Sequence, residues 1–124
     1  MSLITLKRVY EKIASFNQDS YLVDRLWPRG ISKAKLTGVA WLKEVAPSNE
    51  LRQWYHEHLD EWDIFYQNYQ QELENNPSII PLYQKLKDNE PITLLYGSRD
   101  LKHNHAIVLR DFLLNKLKQN NSAS

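Results

Sequence analysis

The sequence predicts a single small α/β domain, with a short, mostly parallel sheet of three or more strands covered by about five helices. Two apolar runs, 21–26 and 92–96, are rich in strand-forming residues, and each leads into a turn that carries glycine and charged side chains. Segments with helical periodicity separate the two runs, and this alternation favours parallel pairing. We therefore treat residues 1–124 as one domain, with a frayed tail from about 119 to 124.

Composition limits the class of protein before any motif is considered. The chain has 124 residues, of which 42% are hydrophobic and 25% charged, as expected for one globular domain. No apolar run approaches the roughly 20 residues that cross a bilayer, and no secretory signal pattern is present, so we expect a cytoplasmic protein without a membrane partner. The absence of cysteine excludes disulfides, thiolate nucleophiles and thiolate metal sites. We expect neither a metal nor a cofactor.

The first half of the chain carries two predicted strands and two short helical turns. Residues 3–10 alternate in a way that predicts a first strand, which could lie at an edge of the sheet. The polar segment 11–20 predicts a surface loop before the strand 21–26. Helical turns are then predicted at 33–36, after a capping serine, and at 41–45.

The second half of the chain is predominantly helical. Ser48 is placed to cap one helix, and Asp60 to cap the next, whose aromatic residues recur at spacings of three and four. Pro77 is expected to open a third helix that ends near Asn89. After the strand at 92–96, a long and strongly apolar helix is predicted from about 101 to 118.

The ends of the two central strands predict a binding pocket. In open parallel sheets, ligands bind beyond the carboxyl ends of the strands, close to helix N-termini. Arg25, Trp27 and Arg29 stand at the end of one strand, and Ser98 and Arg99 follow the other. Arginines bind oxyanions with two parallel hydrogen bonds, and tryptophan can stack on a ring. We therefore predict a pocket for a small anionic or phosphate-bearing ligand at the C-terminal ends of the strands.

His105 is the candidate for proton transfer in this pocket. It shares a helix face with Leu109 and Phe112, so it should point inward near the start of the last helix. A histidine in that position can be a general acid or base, or a core residue bonded to the backbone. Whether the protein is an enzyme stays open. His103 and His105 point about 200° apart on a regular helix, so they cannot bind one metal together.

Other predicted pocket residues also have structural alternatives. Arg25 can pair with Asp24 or with an acidic helix in the middle of the chain, instead of binding a ligand. Trp27 can form a hydrophobic lid. Either Ser98 or Asp100 can be the N-cap of the last helix, which is the more common role for such residues.

The distribution of charge suggests a second class of function. Residues 1–35 contain seven basic and three acidic side chains, residues 36–90 four and ten, and residues 91–124 five and two. The basic ends allow a non-catalytic interaction or regulatory module that contacts nucleic acid. A net charge of +1 and the lack of a helix-turn-helix pattern argue against nucleic acid as a partner. The aromatic helices allow either a monomer or a homodimer.

Three stretches of the chain resemble the YeaO-like family of uncharacterised bacterial proteins, domain-of-unknown-function family 488. They are LVDRLWPRG at 22–30, WLKEVAPSNEL at 41–51 and ITLLYGSRDLKHNHAIVL at 92–109. The resemblance implies a small cytoplasmic α/β protein whose activity is not established. It also adds Asn104, which matches the family motif beside His105, to the predicted ligand-binding residues. The wider family often carries cysteines where this chain has Tyr96 and Asn104, which puts the thiol chemistry of those relatives in question here.

Overall fold

A four-stranded parallel sheet forms the centre of the structure. The computed structural model describes residues 3–11 and 19–122. The strands are β1 (Ile4–Arg8), β2 (Ser20–Leu22), β3 (Ala40–Trp41) and β4 (Ile92–Tyr96), and they lie in the order β1-β4-β2-β3. Because β1 and β2 both pair in parallel with β4, the carboxyl ends of β2 and β4 lie side by side at one edge of the sheet. The predicted parallel α/β architecture is confirmed.

The strand β4 lies at the centre because its side chains are apolar on both faces. Leu94 and Leu95 are fully buried, and they belong to separate hydrophobic clusters. A strand covered on both faces reads as a continuous apolar run, as the sequence from Ile92 to Tyr96 does. The prediction that the first strand lies at the edge of the sheet is also confirmed, since β1 pairs with β4 alone.

Two unlike layers cover the sheet. The four α-helices, α1 (Asn49–His56), α2 (Trp62–Glu74), α3 (Ile80–Lys87) and α4 (His105–Ser122), contribute to the larger cluster around Leu94. The smaller cluster around Leu95 is instead covered by Ile31, Leu36, Trp27 and Val39, which belong to the segment between β2 and β3. One face therefore carries helices and the other a segment of turns.

The structure has four α-helices where about five were predicted. Residues 33–36 form hydrogen-bonded turns, in which the Lys35 amide donates to Ser32, and Gly38 with its φ of +88° redirects the chain. Of the helical turn predicted at 41–45, Trp41 belongs to β3 and Lys43–Val45 form a 3-10 helix. A second 3-10 helix, at Pro77–Ile79, precedes α3. The strand predicted at 21–26 is shorter, Ser20–Leu22. Most of the loop predicted at 11–20 lies outside the described residues.

Capping predictions were right for α1 and wrong for α2. The Leu51 amide donates to Ser48 Oγ at 3.1 Å, so Ser48 is the N-cap of α1. Ser48 also donates from its amide and its hydroxyl to the Glu72 carboxylate, which joins α1 to α2. Asp60 is not a cap, because α2 begins one residue later than predicted, after Glu61, and no side chain caps it.

The last helix begins four residues later than predicted. Asp100 Oδ1 accepts from the amides of Lys102 and His103, and this tight turn prevents the helix from starting at 101. The Ile107 amide donates to Asn104 Oδ1 at 3.1 Å, so Asn104 is the N-cap in place of Ser98 or Asp100. At its other end α4 extends to Ser122, and residues 123 and 124 lie outside the described part of the chain.

None of the helices within residues 3–11 and 19–122 is long and apolar enough to cross a membrane.

Candidate functional site

A cleft of about 640 Å³ lies beyond the carboxyl ends of β2 and β4. Its walls are residues that follow β2, the segment that leads into α1, α1 itself, and the loop from β4 to α4. This is the edge of a parallel sheet where chain segments diverge and leave space for ligands. The predicted ligand-binding residues that line it are Arg25, Ser98, Arg99, Asn104 and His105.

Two predicted residues lie outside this cleft. The Trp27 indole N–H donates to the Ile31 carbonyl at 2.7 Å. Its ring packs edge-on against the Trp41 ring, with the ring centroids 5.3 Å apart, and belongs to the smaller hydrophobic cluster. Arg29 is exposed, and Gly30, with a φ of +79°, turns the chain immediately after it. Trp27 is therefore a packing residue on the opposite face of the sheet, and the Arg29 side chain has no contact with the cleft.

Arg25 fixes the segment before α1 to the end of β2. Its Nε donates to the Pro47 carbonyl at 2.9 Å, and its Nη2 donates to the Ala46 carbonyl at 3.2 Å. It forms no ion pair with Asp24 in the described structure. A guanidinium has five N–H donors, and these two hydrogen bonds use two of them.

Asp24 and His105 form a close pair at the base of the cleft. His105 Nε2 lies 2.8 Å from Asp24 Oδ1, and both side chains are about five-sixths buried, with exposed fractions of 16% and 15%. Asp24 Oδ2 accepts from the Gly97 amide at 2.9 Å. A side chain at position 97 would place its Cβ 2.8 Å from that oxygen, so glycine makes this approach possible. His105 points inward, as its helix face predicts.

Arg52 is a cleft residue that the sequence did not indicate. It lies in the first turn of α1, and its Nε is buried without a hydrogen-bond partner among the described residues. Arg99 also lines the cleft, from an exposed position without an ion pair to the described chain. No local pattern distinguishes Arg52, because its position depends on Arg25 drawing the start of α1 toward β2. The sequence could have indicated Asp24 as a site residue, because it directly precedes Arg25 at the end of a central strand.

Tyr55 adds a neutral aromatic wall on α1. Burial, and secondarily the negative charge of Asp100, raises the pKa of the Tyr55 phenol above its ordinary value of 10.0. The ring stacks on Phe65 with centroids 4.4 Å apart. Tyr55 therefore presents an uncharged ring to the cleft around neutral pH.

Comparison with known proteins identifies the family. The family model described as the inactive DUF488-N3 subclade matches residues 3–124. This chain belongs to the DUF488 family. The DUF488 chain is similar to the uncharacterized protein YeaO of Escherichia coli K12, with 38% identity over 110 residues, which cover 89% of this chain and 96% of YeaO. The uncharacterized protein Rv3073c of Mycobacterium tuberculosis H37Rv is also 38% identical over 110 residues, covering 89% and 92%. No solved structure matches significantly.

Tyr96 and Asn104, the two positions at which the resemblance implies cysteines in relatives, are buried in this protein. Tyr96 is 4% exposed and Asn104 3% exposed. Burial is the main cause that raises the pKa of Tyr96, so its phenol is neutral. Asn104 uses its amide to hold the loop, since its Nδ2 donates to the Asp100 carbonyl at 2.8 Å. Both residues therefore have structural roles. No group of three or more histidine, aspartate or glutamate side chains in the described residues could hold a metal ion.

Asp100, in the loop between β4 and α4, makes a pH-dependent contribution to the stability of the protein. Hydrogen bonds from the amides of Lys102 and His103 lower its pKa below the ordinary value of 3.8. Its folded pKa lies below its unfolded pKa, so this stabilisation is fully present above the unfolded value and is lost as the pH falls through the folded one. We expect Asp100→Asn to be less stable than the parent at neutral pH, and the difference to shrink on acidification below the ordinary carboxyl pKa. Urea unfolding of the parent and of Asp100→Asn, at neutral pH and at a pH below the ordinary carboxyl pKa, measures this difference in stability. The same difference at the two pH values would contradict the expectation.

Proposed function

We propose that this protein binds a small anionic ligand in the cleft without transforming it chemically. The observation that carries the proposal is the convergence of Arg25, Arg52 and Arg99 on one cleft at the carboxyl edge of the sheet. Arginines are the side chains best suited to bind carboxylates and phosphates, because the planar guanidinium offers paired donors.

The balance of free charge in the cleft favours an anion. Each of its two aspartates uses one carboxylate oxygen within the chain, since Asp24 Oδ2 accepts from the Gly97 amide and Asp100 Oδ1 accepts from two amides of its own loop. Arg52 and Arg99 form no ion pair within the described residues. A partly enclosed cleft also strengthens electrostatic attraction compared with open water. Three arginines against two aspartates give the lining of the cleft a positive formal charge, which an anionic ligand would balance.

Two further observations support binding without catalysis. The chain contains no cysteine, and the matching family model is described as an inactive subclade. His105, the candidate for proton transfer, has its Nε2 against the Asp24 carboxylate. In this proposal His105 positions Asp24 and the loop after β4, and it is not a proton shuttle.

The experiment is a thermal-shift screen of inorganic phosphate, nucleotides, sugar phosphates and carboxylates. A ligand at about ten times its Kd should stabilise the fold by about 1.4 kcal/mol, which raises the Tm by roughly 3–6 °C for a domain of this size. Arg52→Ala and Arg99→Ala should each remove most of this shift.

Arg29→Ala is the matched control for Arg99→Ala, because both arginines are exposed, both lack an ion pair to the described residues, and only Arg99 lines the cleft. The control should retain the full shift. A screen without any stabilising anion, or a shift that Arg29→Ala removes as strongly as Arg99→Ala, contradicts the proposal. Salt-dependent retention on DNA or RNA would instead favour the interaction module, because phosphate contacts release counterions.

A further inference from the structure

Within the described residues, most of the buried side-chain polar atoms that lack a hydrogen-bond partner belong to residues that line the cleft. Four such side-chain atoms occur in the described residues, and three of them belong to residues that line the cleft: Asp24 Oδ1, Arg52 Nε and His105 Nε2. The fourth, Tyr83 Oη, is not in the cleft. Asp24 Oδ1 and His105 Nε2 lie 2.8 Å apart, but not in the alignment of a hydrogen bond. Buried polar groups in native proteins are normally satisfied, so this grouping points to a ligand.

These atoms require more than an anion from the ligand. Arg52 Nε is a donor, and a carboxylate or phosphate oxygen satisfies it. Asp24 Oδ1 is an acceptor with two lone pairs, and an anionic group would repel it. A ligand that satisfies both atoms therefore carries a hydrogen-bond donor in addition to its anionic group.

The size and lining of the cleft add a third requirement. A volume of about 640 Å³ is far larger than an inorganic anion needs and falls within the range of sites for small organic molecules. Leu26 and Leu59 line the cleft with 59% and 64% of their surface exposed, near Pro47 and Phe65. An apolar body placed against these side chains would remove hydrocarbon surface from water.

We propose that the ligand is a small organic acid that has a hydroxyl or ammonium group next to its anionic group and an apolar body. Asp24 is then the specificity-determining residue, since it accepts from that hydroxyl or ammonium group while Arg52 binds the anion. The proposal deepens the function proposed above and rests on it. Position 24 distinguishes such a ligand from a plain fatty or aromatic acid.

The test compares three acids that differ in one substituent. The acids share a benzyl group and a carboxylate, and they differ on the carbon between the two. That carbon carries only hydrogen in 3-phenylpropionate, a hydroxyl in 3-phenyllactate and an ammonium group in phenylalanine. Calorimetric titration should give a Kd about tenfold lower for at least one donor-bearing acid than for 3-phenylpropionate, the ratio expected for one hydrogen bond to a charged acceptor. In Asp24→Asn one amide atom can still accept from the Gly97 amide while the other becomes a donor. The preference should therefore fall to within about twofold.

The outcomes separate the two proposals. If all three acids bind the parent protein equally, or if only acids without a donor bind, this inference is overturned and the proposed function stands. If Asp24→Asn keeps the preference, Asp24 is not the discriminating residue and the inference is also overturned. If no anion of any kind binds, both proposals fail. Arg29→Ala should retain the preference, and the comparison of acids on the parent protein decides the matter even if the Asp24 variant does not fold.

Discussion

Replacing Leu94 with alanine is expected to lower the free energy of unfolding by about 3 kcal/mol, within the range of roughly 2–5 kcal/mol for buried leucines. Leu94 lies in the central strand, is fully buried, and belongs to the larger hydrophobic cluster that all four helices share. The substitution removes apolar contacts and leaves a cavity that a central strand, paired on both sides, cannot easily close.

Urea unfolding followed by circular dichroism measures this loss. Leu101→Ala is the matched control, because Leu101 is 63% exposed and undergoes the same chemical change. The control should alter stability by less than about 0.5 kcal/mol. Equal losses in the two variants would contradict the position of Leu94 at the centre of the core.

Replacing Asp24 with alanine is expected to cost about 2–3 kcal/mol, the range of hydrogen bonds to charged groups and of buried groups left without partners. The carboxylate accepts from the Gly97 amide and lies against His105 Nε2, so it joins the ends of β2 and β4 to the start of α4. Its removal leaves the partly buried Gly97 amide without its acceptor and takes the carboxylate away from the buried His105 ring nitrogen.

Two further variants distinguish the loss of the Asp24 contacts from a general effect of removing an acidic side chain. Asp24→Asn keeps an acceptor for the Gly97 amide and should lose clearly less stability than Asp24→Ala, as measured by urea unfolding. Asp60→Ala should be nearly neutral, because Asp60 is exposed and does not cap α2. If Asp60→Ala and Asp24→Ala were equally destabilising, the Asp24 contacts would not hold the three elements together.

The sequence predicted the central elements because their signals are local. The unbroken apolar run at Ile92–Tyr96 requires cover on both faces, and Ser48 satisfies an amide of the helix it precedes. The strand β3 has only two residues, Ala40 and Trp41, and it exists through its pairing with β2. Such a short strand has no periodicity of its own. The start of α4 was misplaced because Asp100 uses its carboxylate for a separate turn.

The candidate site was predictable to the extent that strand ends determine it. Arg25, Arg99 and His105 meet because parallel strands bring their carboxyl ends together. Arg29 follows the same strand, but the turn at Gly30 directs it elsewhere, and sequence spacing alone cannot show that. Arg52 enters the cleft only through the docking of α1, which depends on tertiary contacts.

The most direct test of anion binding in the cleft is an NMR titration of the ¹⁵N-labelled protein with phosphate and with 3-phenyllactate. We expect the largest amide shift changes at Arg52, in the loop 97–104 and at His105, all of which lie in or beside the cleft. The polar groove between α2 and α4, lined by residues such as Gln70 and Asn115, should remain unchanged. Shift changes confined to that groove, or absent throughout, would contradict the assignment of the cleft as the ligand site.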